Sequence, residues 1–260
     1  MTATWTLAAL PWESDFLKRE LWRLQIRNGF SSKEWTDGVL PALQKIPATA
    51  LCEAVLDARN ITIARLLEDE GFRLCDSKFQ FLTRVQASTL PPCPASMPQG
   101  HLIRSFGSQD LPSILQLTED EVVKNPLLIT KFKTPWFKHG TASKWYAAWL
   151  RDVLEQGAPC SVLCDAQGSV TGYFAYQKKG THEGLPVYKG ILSSVRPAAR
   201  GHRVHLLLQD HLLRTAIAEP EFWLDNTTQV SNNPVFRNHF NSGRKPHTIS
   251  LVFLRGDHVQ

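Results

Sequence analysis

The chain has 260 residues, of which 43% are hydrophobic, and it carries a net charge of +5 with a pI near 9.0. This composition predicts a globular protein of one large domain or two smaller ones. No apolar run approaches the roughly 18 residues that span a bilayer, so we expect a cytoplasmic protein without a membrane partner. The positive charge favours anionic partners, but basic residues are scattered without a Lys- or Arg-rich block, which argues against nucleic acid.

Cysteine and histidine spacing predicts neither disulfides nor a metal site. The odd number of cysteines lacks any paired C-x-x-C spacing, so free thiols are expected at Cys52, Cys75, Cys93, Cys160 and Cys164. Cys160 and Cys164 fall on one face of a predicted strand and are expected in the core. His202, His205 and His211 lie near one helix, but no carboxylate or cysteine completes a ligand set.

One composition break divides the chain. LPPCPASMPQG, at 90–100, contains four prolines and a glycine, which disfavour regular structure. We therefore predict a smaller N-terminal domain at 1–90, a proline-rich linker at 91–100, and a larger domain at 101–260.

Apolar periodicity in the larger domain predicts alternating strands and helices. In chain order these are a strand at 101–106, a helix capped near Ser108, a helix ending at Gly157, strands at 160–165, 170–177 and 187–195, a helix from Val204 to about Ala218, a strand at 221–225, a short helix around 235–240, and a final strand at 248–254. This order predicts an α+β (mixed α/β) fold with a mostly antiparallel sheet, and not a doubly wound one.

Two segments of the chain echo each other. NITIARLLEDEGF runs from Asn60 to Gly71 in 11 residues, and NNPVFRNHFNSGR runs from Asn232 to Gly243 in 11. A β-like segment follows each. Either the two halves share an ancestral unit, or two unrelated helices both end at a glycine C-cap.

The stretch RPAARGHRVHLLL, at 196–208, connects a predicted strand to a predicted helix. Such a turn presents unpaired backbone N–H groups and the positive end of a helix dipole, which suit a pyrophosphate. Gly201 allows close backbone approach, and Arg200 and Arg203 could add charge-assisted hydrogen bonds. The alternative is an ordinary strand-to-helix turn with solvated arginines.

In its context, VRPAARGHRVHLLLQDHLL resembles the acyl-CoA pyrophosphate motif of the GNAT superfamily of N-acetyltransferases, R-x-x-G-x-G/A. Arg200 matches the first position, whereas Arg203 and His205 stand where glycine, and glycine or alanine, are usual. The resemblance implies a GNAT fold, with acetyl-CoA as cosubstrate and no metal. The residues that it implies for acetyl-CoA binding are Ser193, Ser194, Val195, Arg200, Gly201, His202, Arg203, Val204, His205 and Asn232.

A narrower resemblance covers most of the chain. LPWESDF, TPWFKHGTASKWYAAWL and TTQVSNNPVFRNHFNSG are similar, in order and spacing, to the TDP-fucosamine acetyltransferase family. That family acetylates the 4-amino group of a nucleotide-linked 4-amino-4,6-dideoxyhexose, and a partial GNAT-like region precedes its catalytic domain. The implied partner is a small amino sugar or nucleotide sugar. A peptide or protein N-acetyltransferase and a non-catalytic GNAT-like binding module are the alternatives, and a homodimer is left open.

The resemblance also suggests a catalytic acid. Counting from Asn232, His239 stands where GNAT enzymes commonly place the tyrosine that protonates the departing CoA thiolate. An unperturbed imidazole, with a pKa near 6.5, is partly protonated at neutral pH and could serve instead. Bulk water is the alternative proton donor.

The acceptor side is less well determined by the sequence. Direct attack requires an uncharged amine, and a backbone N–H in 191–195 is expected to polarise the thioester carbonyl. Candidate bases, which the sequence does not rank, are His182, Glu183, His205 and Asp225. Among the aromatic residues of the 136–149 region, Trp136 and Tyr146 are expected to face the acceptor.

Overall fold

The computed structural model describes residues 4–27, 29–93, 95–125 and 130–257. In these residues the strands are β1 (Trp5–Ala9), β2 (Leu21–Ile26), β3 (Leu51–Asp57), β4 (Arg73–Gln86), β5 (Leu102–Ser105), β6 (Cys160–Cys164), β7 (Val170–His182), β8 (Leu185–Val195), β9 (Glu221–Gln229) and β10 (Thr248–Arg255). They form one ten-stranded sheet in the order β1-β2-β3-β10-β4-β9-β8-β7-β6-β5.

Helices cover both faces of the sheet. The α-helices are α1 (Pro11–Leu17), α2 (Ser32–Glu34), α3 (Leu40–Leu43), α4 (Ile61–Asp69), α5 (Leu111–Lys124), α6 (Thr141–Glu155), α7 (Val204–Thr215) and α8 (Asn233–Asn241). A π-helical turn, Trp35–Val39, joins α2 to α3. Short 3₁₀ turns lie at Ala87–Thr89, Ser108–Asp110, Lys131–Lys133 and Pro197–Ala199.

The sheet is mostly antiparallel, and its two parallel pairs are β2 with β3 and β8 with β9. Helical segments connect the strands of each parallel pair, as a parallel crossover requires. The prediction of an α+β fold with a mostly antiparallel sheet is therefore confirmed.

The two halves of the chain exchange their final strands. The N-terminal half ends with β4, which pairs with β9 of the C-terminal half. The chain then ends with β10, which pairs with β3 on one side and with β4 on the other. One continuous sheet thus crosses the proline-rich segment, and the boundaries at 90 and 100 stay a prediction.

The echoed segments occupy equivalent places in the two halves. Helix α4 connects β3 to β4, and α8 connects β9 to β10. Gly71 (φ 83°) and Gly243 (φ 74°) each follow their helix in the left-handed region that favours glycine. This equivalence favours a shared ancestral unit over coincidence.

The larger half has a core on each face of its sheet. Helices α5 and α6 pack on one face through residues such as Ile114, Leu150 and Tyr173. Helix α7 packs on the opposite face through residues such as Leu208 and Leu212. The site described below lies between these layers, where β8 and β9 part.

Several predicted boundaries shift. Strand β7 runs to His182 and not 177, because its pairing with β8 continues to His182 and Leu185. Helix α7 ends at Thr215, before the predicted Ala218. All five cysteines are free thiols, and Cys160 and Cys164 are buried as predicted. In the described part of the chain, the helices lack the length and apolar character needed to cross a bilayer.

The strand exchange makes Phe253 of β10 part of the N-terminal core, where it is 1% exposed. We expect Phe253→Ala to lower the unfolding free energy by about 3 to 5 kcal/mol, as other large buried truncations do. Guanidinium denaturation should show one transition, because both halves share the strand. Ile249→Ala, at a side chain 37% exposed on the same strand, is the control with a much smaller loss. Separate transitions of the two halves would contradict this coupling.

Candidate functional site

Strands β8 and β9 are paired over only three residues. Val187–Lys189 pair with Trp223–Asp225, and beyond this point the two strands separate. At the same place β8 carries a bulge. Leu192 pairs with Ala175 of β7 and Gly190 pairs with Tyr176, so Ile191 between them has no partner residue on β7. We call the opening between 190–195 of β8 and 226–229 of β9 the wedge.

The stretch after β8 forms the predicted turn at the mouth of the wedge. Gly201 (φ 91°), His202 (φ 46°) and Arg203 (φ 55°) are consecutive left-handed residues, and α7 begins at Val204. Two of them are not glycine, so this turn stores backbone strain, a feature that clusters at ligand sites. Arg203 adopts the left-handed conformation at the position where the motif has glycine.

Arg200 is held by protein groups in this structure. Its Nε donates to the Val195 carbonyl at 2.9 Å, and its guanidinium pairs with Glu121 of α5. Asn232, at the N-cap of α8, makes no side-chain capping bond. The other predicted residues of the wedge, Ser193, Ser194 and Val195, pair with β7 along one edge only.

His205 and His239 meet between α7 and α8. Their ring centroids are 5.7 Å apart, and the His239 ring also lies 4.6 Å from that of Phe81. Burial, with lesser effects of His205 and Arg244, lowers the pKa of His239 to about 2. Burial and Arg244 lower the pKa of His205 to about 3. Both rings are therefore neutral at pH 7, unlike the partly protonated imidazole that an unperturbed pKa predicts for His239.

A polar network extends from these histidines to the inner end of the wedge. Arg244, after α8, donates to His239 Nδ1 at 3.0 Å and to Gln209 Oε1 at 2.7 Å. Gln209 Nε2 donates to the Tyr176 hydroxyl and to Asn226 Oδ1, the latter at 3.4 Å. Asn226 Oδ1 lies so near Gly190 that a Cβ there would be 2.6 Å away. Gly190 is thus required for the approach of β9.

The opposite face of the sheet carries a cluster of buried charges. Glu53 pairs with Lys131 at 2.6 Å and with Arg23 at 3.1 Å. Burial would raise the pKa of Glu53, but Lys131 and Arg23 outweigh burial and lower it to about 2. This carboxylate is therefore ionised and structurally paired.

Asp76 belongs to the same cluster, and its negative charge is only weakly offset by neighbouring positive charge. It is 5% exposed, and neither carboxylate oxygen has a hydrogen-bond partner. Lys78 Nζ is its nearest cation, at 3.6 Å. Burial raises the pKa of Asp76 to about 6, with Lys78 opposing. A buried carboxylate that titrates near neutral pH beside a single, loosely placed cation is typical of functional sites.

Tyr146 connects the β8 side of the wedge to this cluster. It belongs to the aromatic cluster against which Leu192 of β8 packs. Its hydroxyl donates to Thr130 Oγ1 at 3.1 Å. Burial raises the pKa of the phenol, while Lys78 and hydrogen bonds with Thr130 and Gln229 oppose the increase. Tyr146 therefore lies near both the wedge and Asp76.

Trp136, in contrast, packs in the N-terminal half. It is 7% exposed among Leu21, Leu51 and Leu254, and its Nε1 donates to the Gly256 carbonyl at 2.9 Å. The structure does not place Trp136 and Tyr146 in the same hydrophobic cluster. An acceptor-binding role for either residue stays a prediction.

The candidate bases are also dispersed. His182 and Glu183 lie at the tip of the β7–β8 hairpin, and Glu183 is seven residues from Gly190, about 20 Å of strand. Asp225 is buried at the inner end of the wedge and pairs with Lys189 at 3.6 Å. Of the four, His205 and Asp225 alone border the wedge.

Four polar residues of this region escaped the sequence analysis: Asp76, Lys78, Gln209 and Arg244. Asp76 and Lys78 share one face of β4 by their spacing, but β4 joins the site only through its pairing with β9. Gln209 interrupts the apolar face of α7, which was the one available signal. In the described residues, no group of three or more His, Cys, Asp or Glu side chains could hold a metal ion.

No protein-family model and no curated protein matches this sequence. Several solved structures share its fold. A GCN5-related N-acetyltransferase from Sphaerobacter thermophilus is 13% identical, with a TM-score of 0.59 over 99% of this chain and 79% of that one. A tandem GNAT protein from the clavulanic acid biosynthesis pathway, solved without AcCoA, is 14% identical, with a TM-score of 0.58 over 90% and 74%.

A third structure, a GCN5-related N-acetyltransferase from Kribbella flavida, is 10% identical, with a TM-score of 0.52 over 92% of this chain and 82% of that one. The long coverage includes both halves of the sheet. The chain therefore has a GNAT fold, with a smaller GNAT-like half preceding the complete one, as the sequence resemblance implied. At these identities, the likeness concerns the fold alone.

The low pKa of His239 has a consequence for stability. Its folded pKa lies below the unfolded value, so the unfolded state binds the proton first, and stability falls as pH drops below about 6.5. Replacement by phenylalanine removes the contribution of His239 to the pH dependence of the unfolding free energy. Between pH 7 and 5, we expect His239→Phe to lose about 2 kcal/mol less unfolding free energy than wild type in urea titrations. His139→Phe, at an exposed ring, is the control; equal pH dependence in all three proteins would contradict burial of a neutral His239.

Proposed function

We propose that this protein is an acetyl-CoA-dependent N-acetyltransferase that acts on the amine of an amino sugar. A nucleotide-linked 4-amino-4,6-dideoxyhexose is the proposed acceptor. The observation that carries the proposal is the wedge between β8 and β9, with a strained turn and a helix N-terminus at its mouth. Together they offer a slot for an extended thioester and an anion site for its phosphates.

The chain's own groups suit acetyl-CoA in two places. Past Lys189, one edge of β8 is no longer paired with β9, so the backbone of Ser193, Ser194 and Val195 can bind an extended chain and polarise a carbonyl. The turn at Gly201, His202 and Arg203 precedes the N-terminus of α7, whose dipole favours negative charge.

The acceptor is proposed to lie on the opposite face, beside Tyr146 and Asp76. The amine lone pair attacks the thioester carbon, the C–S bond breaks, and its electron pair stays on sulfur. The amine proton passes to the Asp76 carboxylate, directly or through water. Because the pKa of Asp76 is about 6, this group is ionised at pH 7 yet basic enough to accept a proton.

The choice of an amino sugar rests on the three family-like stretches together with the surroundings of Tyr146. Phe132, Trp145 and Trp149 surround this tyrosine, with ring centroids within 6.5 Å of it. Aromatic faces suit the apolar face of a deoxysugar or a nucleobase. A net charge of +5 suits a nucleotide diphosphate. A peptide acceptor is the alternative to be assayed in parallel.

We also propose the division into an N-terminal partial GNAT-like domain at 1–90, a linker at 91–100 and a catalytic domain at 101–260. The strained turn follows β8 in the larger part. The exchange of β4 and β10 then makes each part complete the sheet of the other.

One observation favours a second candidate, a non-catalytic binding module. The rings of His205 and His239 meet between α7 and α8, at two positions where the superfamily usually has other residues. If these rings close the wedge, the protein would bind no acyl-CoA.

Acetyl-CoA binding is the first test of the proposed function. Calorimetric titration of the protein with acetyl-CoA should give micromolar affinity, about −8 kcal/mol. Gly201→Ala should bind about tenfold more weakly, because a side chain at φ 91° strains the turn whose amides hold the phosphates. Gly168→Ala, at φ 80° in the β6–β7 turn, is a matched control that should keep full affinity. No heat of binding in wild type would leave the binding module as the leading candidate.

The role of Asp76 is tested by its pH profile. With an amino-sugar nucleotide as acceptor, kcat/KM of wild type should rise with pH through about 6, because only the ionised carboxylate accepts a proton. Asp76→Asn should lower kcat/KM by about 100-fold and lose this acidic limb. Asp37→Asn, at an exposed site, should retain both. An acidic limb that persists in Asp76→Asn would remove Asp76 as the base.

A further inference from the structure

Arg244 is a half-buried cation between two helices. Its guanidinium bridges His239 of α8 and Gln209 of α7, at 3.0 Å and 2.7 Å. Burial is the main influence on its pKa and lowers it from the ordinary arginine value. The two bonds use two of the five N–H donors of a guanidinium.

The partners of Arg244 are neutral groups. Within the described residues, its guanidinium forms no ion pair with a carboxylate, unlike the guanidinium groups of Arg23, Arg104 and Arg214. His239 is itself neutral, and burial raises the pKa of Tyr176 to about 12, so this phenol is also uncharged at pH 7. A half-buried charge without a counter-ion has lost part of its hydration, and a ligand of opposite charge would compensate that loss.

Two further atoms around this network lack partners. Asn226 Nδ2 and His205 Nδ1 are buried without a hydrogen bond, and Asn226 is only 3% exposed. Both residues border the wedge, and Asn226 Oδ1 already accepts from Gln209. Asn226 and Arg244 are both bonded to Gln209, so an unbonded amide N–H and a guanidinium without a counter-ion lie in one network, which suits an anion.

The position of the Arg244 network in the wedge indicates which anionic group of a ligand it would contact. His205 and Gln209 are four residues apart on α7 and therefore share one face of the helix. The phosphates of a CoA ester suit the turn at the N-terminus of this helix. Arg244 and Gln209 lie about one helical turn further along, towards Asn226 and Gly190 at the inner end of the wedge. In the proposed acetyl transfer, the group of CoA that becomes negative at the inner end of the wedge is its sulfur.

We propose that Arg244 supplies the positive charge that stabilises the CoA thiolate as it leaves. This inference rests on the proposed function. When the amine nitrogen bonds to the thioester carbon, the C–S electron pair stays on sulfur, and the thiolate forms an ion pair with the guanidinium. The amine proton goes to Asp76, and the thiolate takes a proton from water after release. His239 is then a positioning residue, whose Nδ1 holds Arg244.

The test measures the thiol pKa of bound CoA. CoA titrated with saturating protein, and followed by the ultraviolet absorbance of its thiolate, should show a thiol pKa about one unit below that of CoA titrated without protein. Arg244→Lys keeps the charge and should keep most of this shift. Arg244→Gln should return the thiol to its ordinary pKa. Arg237→Gln, at an exposed residue of α8, is the control with the wild-type shift.

Gln209→Glu is a second variant, which keeps Arg244 in place and still tests the proposal if Arg244→Gln fails to fold. A glutamate at this position gives Arg244 a carboxylate in place of the amide oxygen at 2.7 Å, so the melting temperature should rise. Because this carboxylate offsets the charge of the guanidinium, the thiol pKa of bound CoA should no longer be lowered.

The outcomes are distinguishable. Binding of CoA with an unshifted thiol pKa in wild type overturns the role of Arg244 and leaves the proposed function intact. A shift that survives in both Arg244→Gln and Gln209→Glu also overturns it. Absence of CoA binding overturns the proposed function itself.

Discussion

The pairing of β10 with both β3 and β4 is the interaction on which the rest of this structure depends. It closes the N-terminal sheet with a strand from the C-terminus, and it leaves β4 to pair with β9. Each half therefore supplies a strand that the other lacks. Because a strand with unpaired N–H and C=O groups is unfavourable in the middle of a sheet, neither half satisfies its backbone alone.

This exchange also builds the candidate site. It places Lys78 of the N-terminal half directly opposite Gln229 of the C-terminal half, and Asp76 and Asp225 lie further along the same face of the sheet. The opposite face at the same strands holds Asn226 and the network that leads to Arg244. The wedge thus has an acidic group on one face and a cationic group on the other. That separation matches a transfer in which one group takes a proton and another meets a negative charge.

Burial sets the ionisation of these groups in a consistent way. It raises the pKa of Asp76 to about 6 and lowers those of His205 and His239 to about 3 and 2. Where a counter-charge is close, as for Glu53 beside Lys131, the carboxylate stays ionised in spite of burial. Asp76 differs from Glu53 because its nearest cation, Lys78, lies 3.6 Å away and does not offset burial.

The sequence by itself determined the local elements. Alternation of apolar residues located the strands of the larger half, and Gly157, Gly201 and Gly243 marked turns that adopt positive φ. The motif at 196–208 located the strained turn and, through its resemblance, the GNAT fold. These features depend on short stretches of chain, which is why they could be read in order.

Tertiary structure alone decided which residues meet. Asp76 and Asn226 are 150 positions apart, and Arg244 reaches Gln209 across two helices. No local pattern predicts the exchange of β4 and β10, because strand pairing is decided by contacts between distant segments. The pKa values of His239 and Asp76 follow from that exchange, since burial and neighbouring charges exist only after the sheet has formed. The sequence thus determined where the chain turns, and the folded sheet determined which charges lack partners.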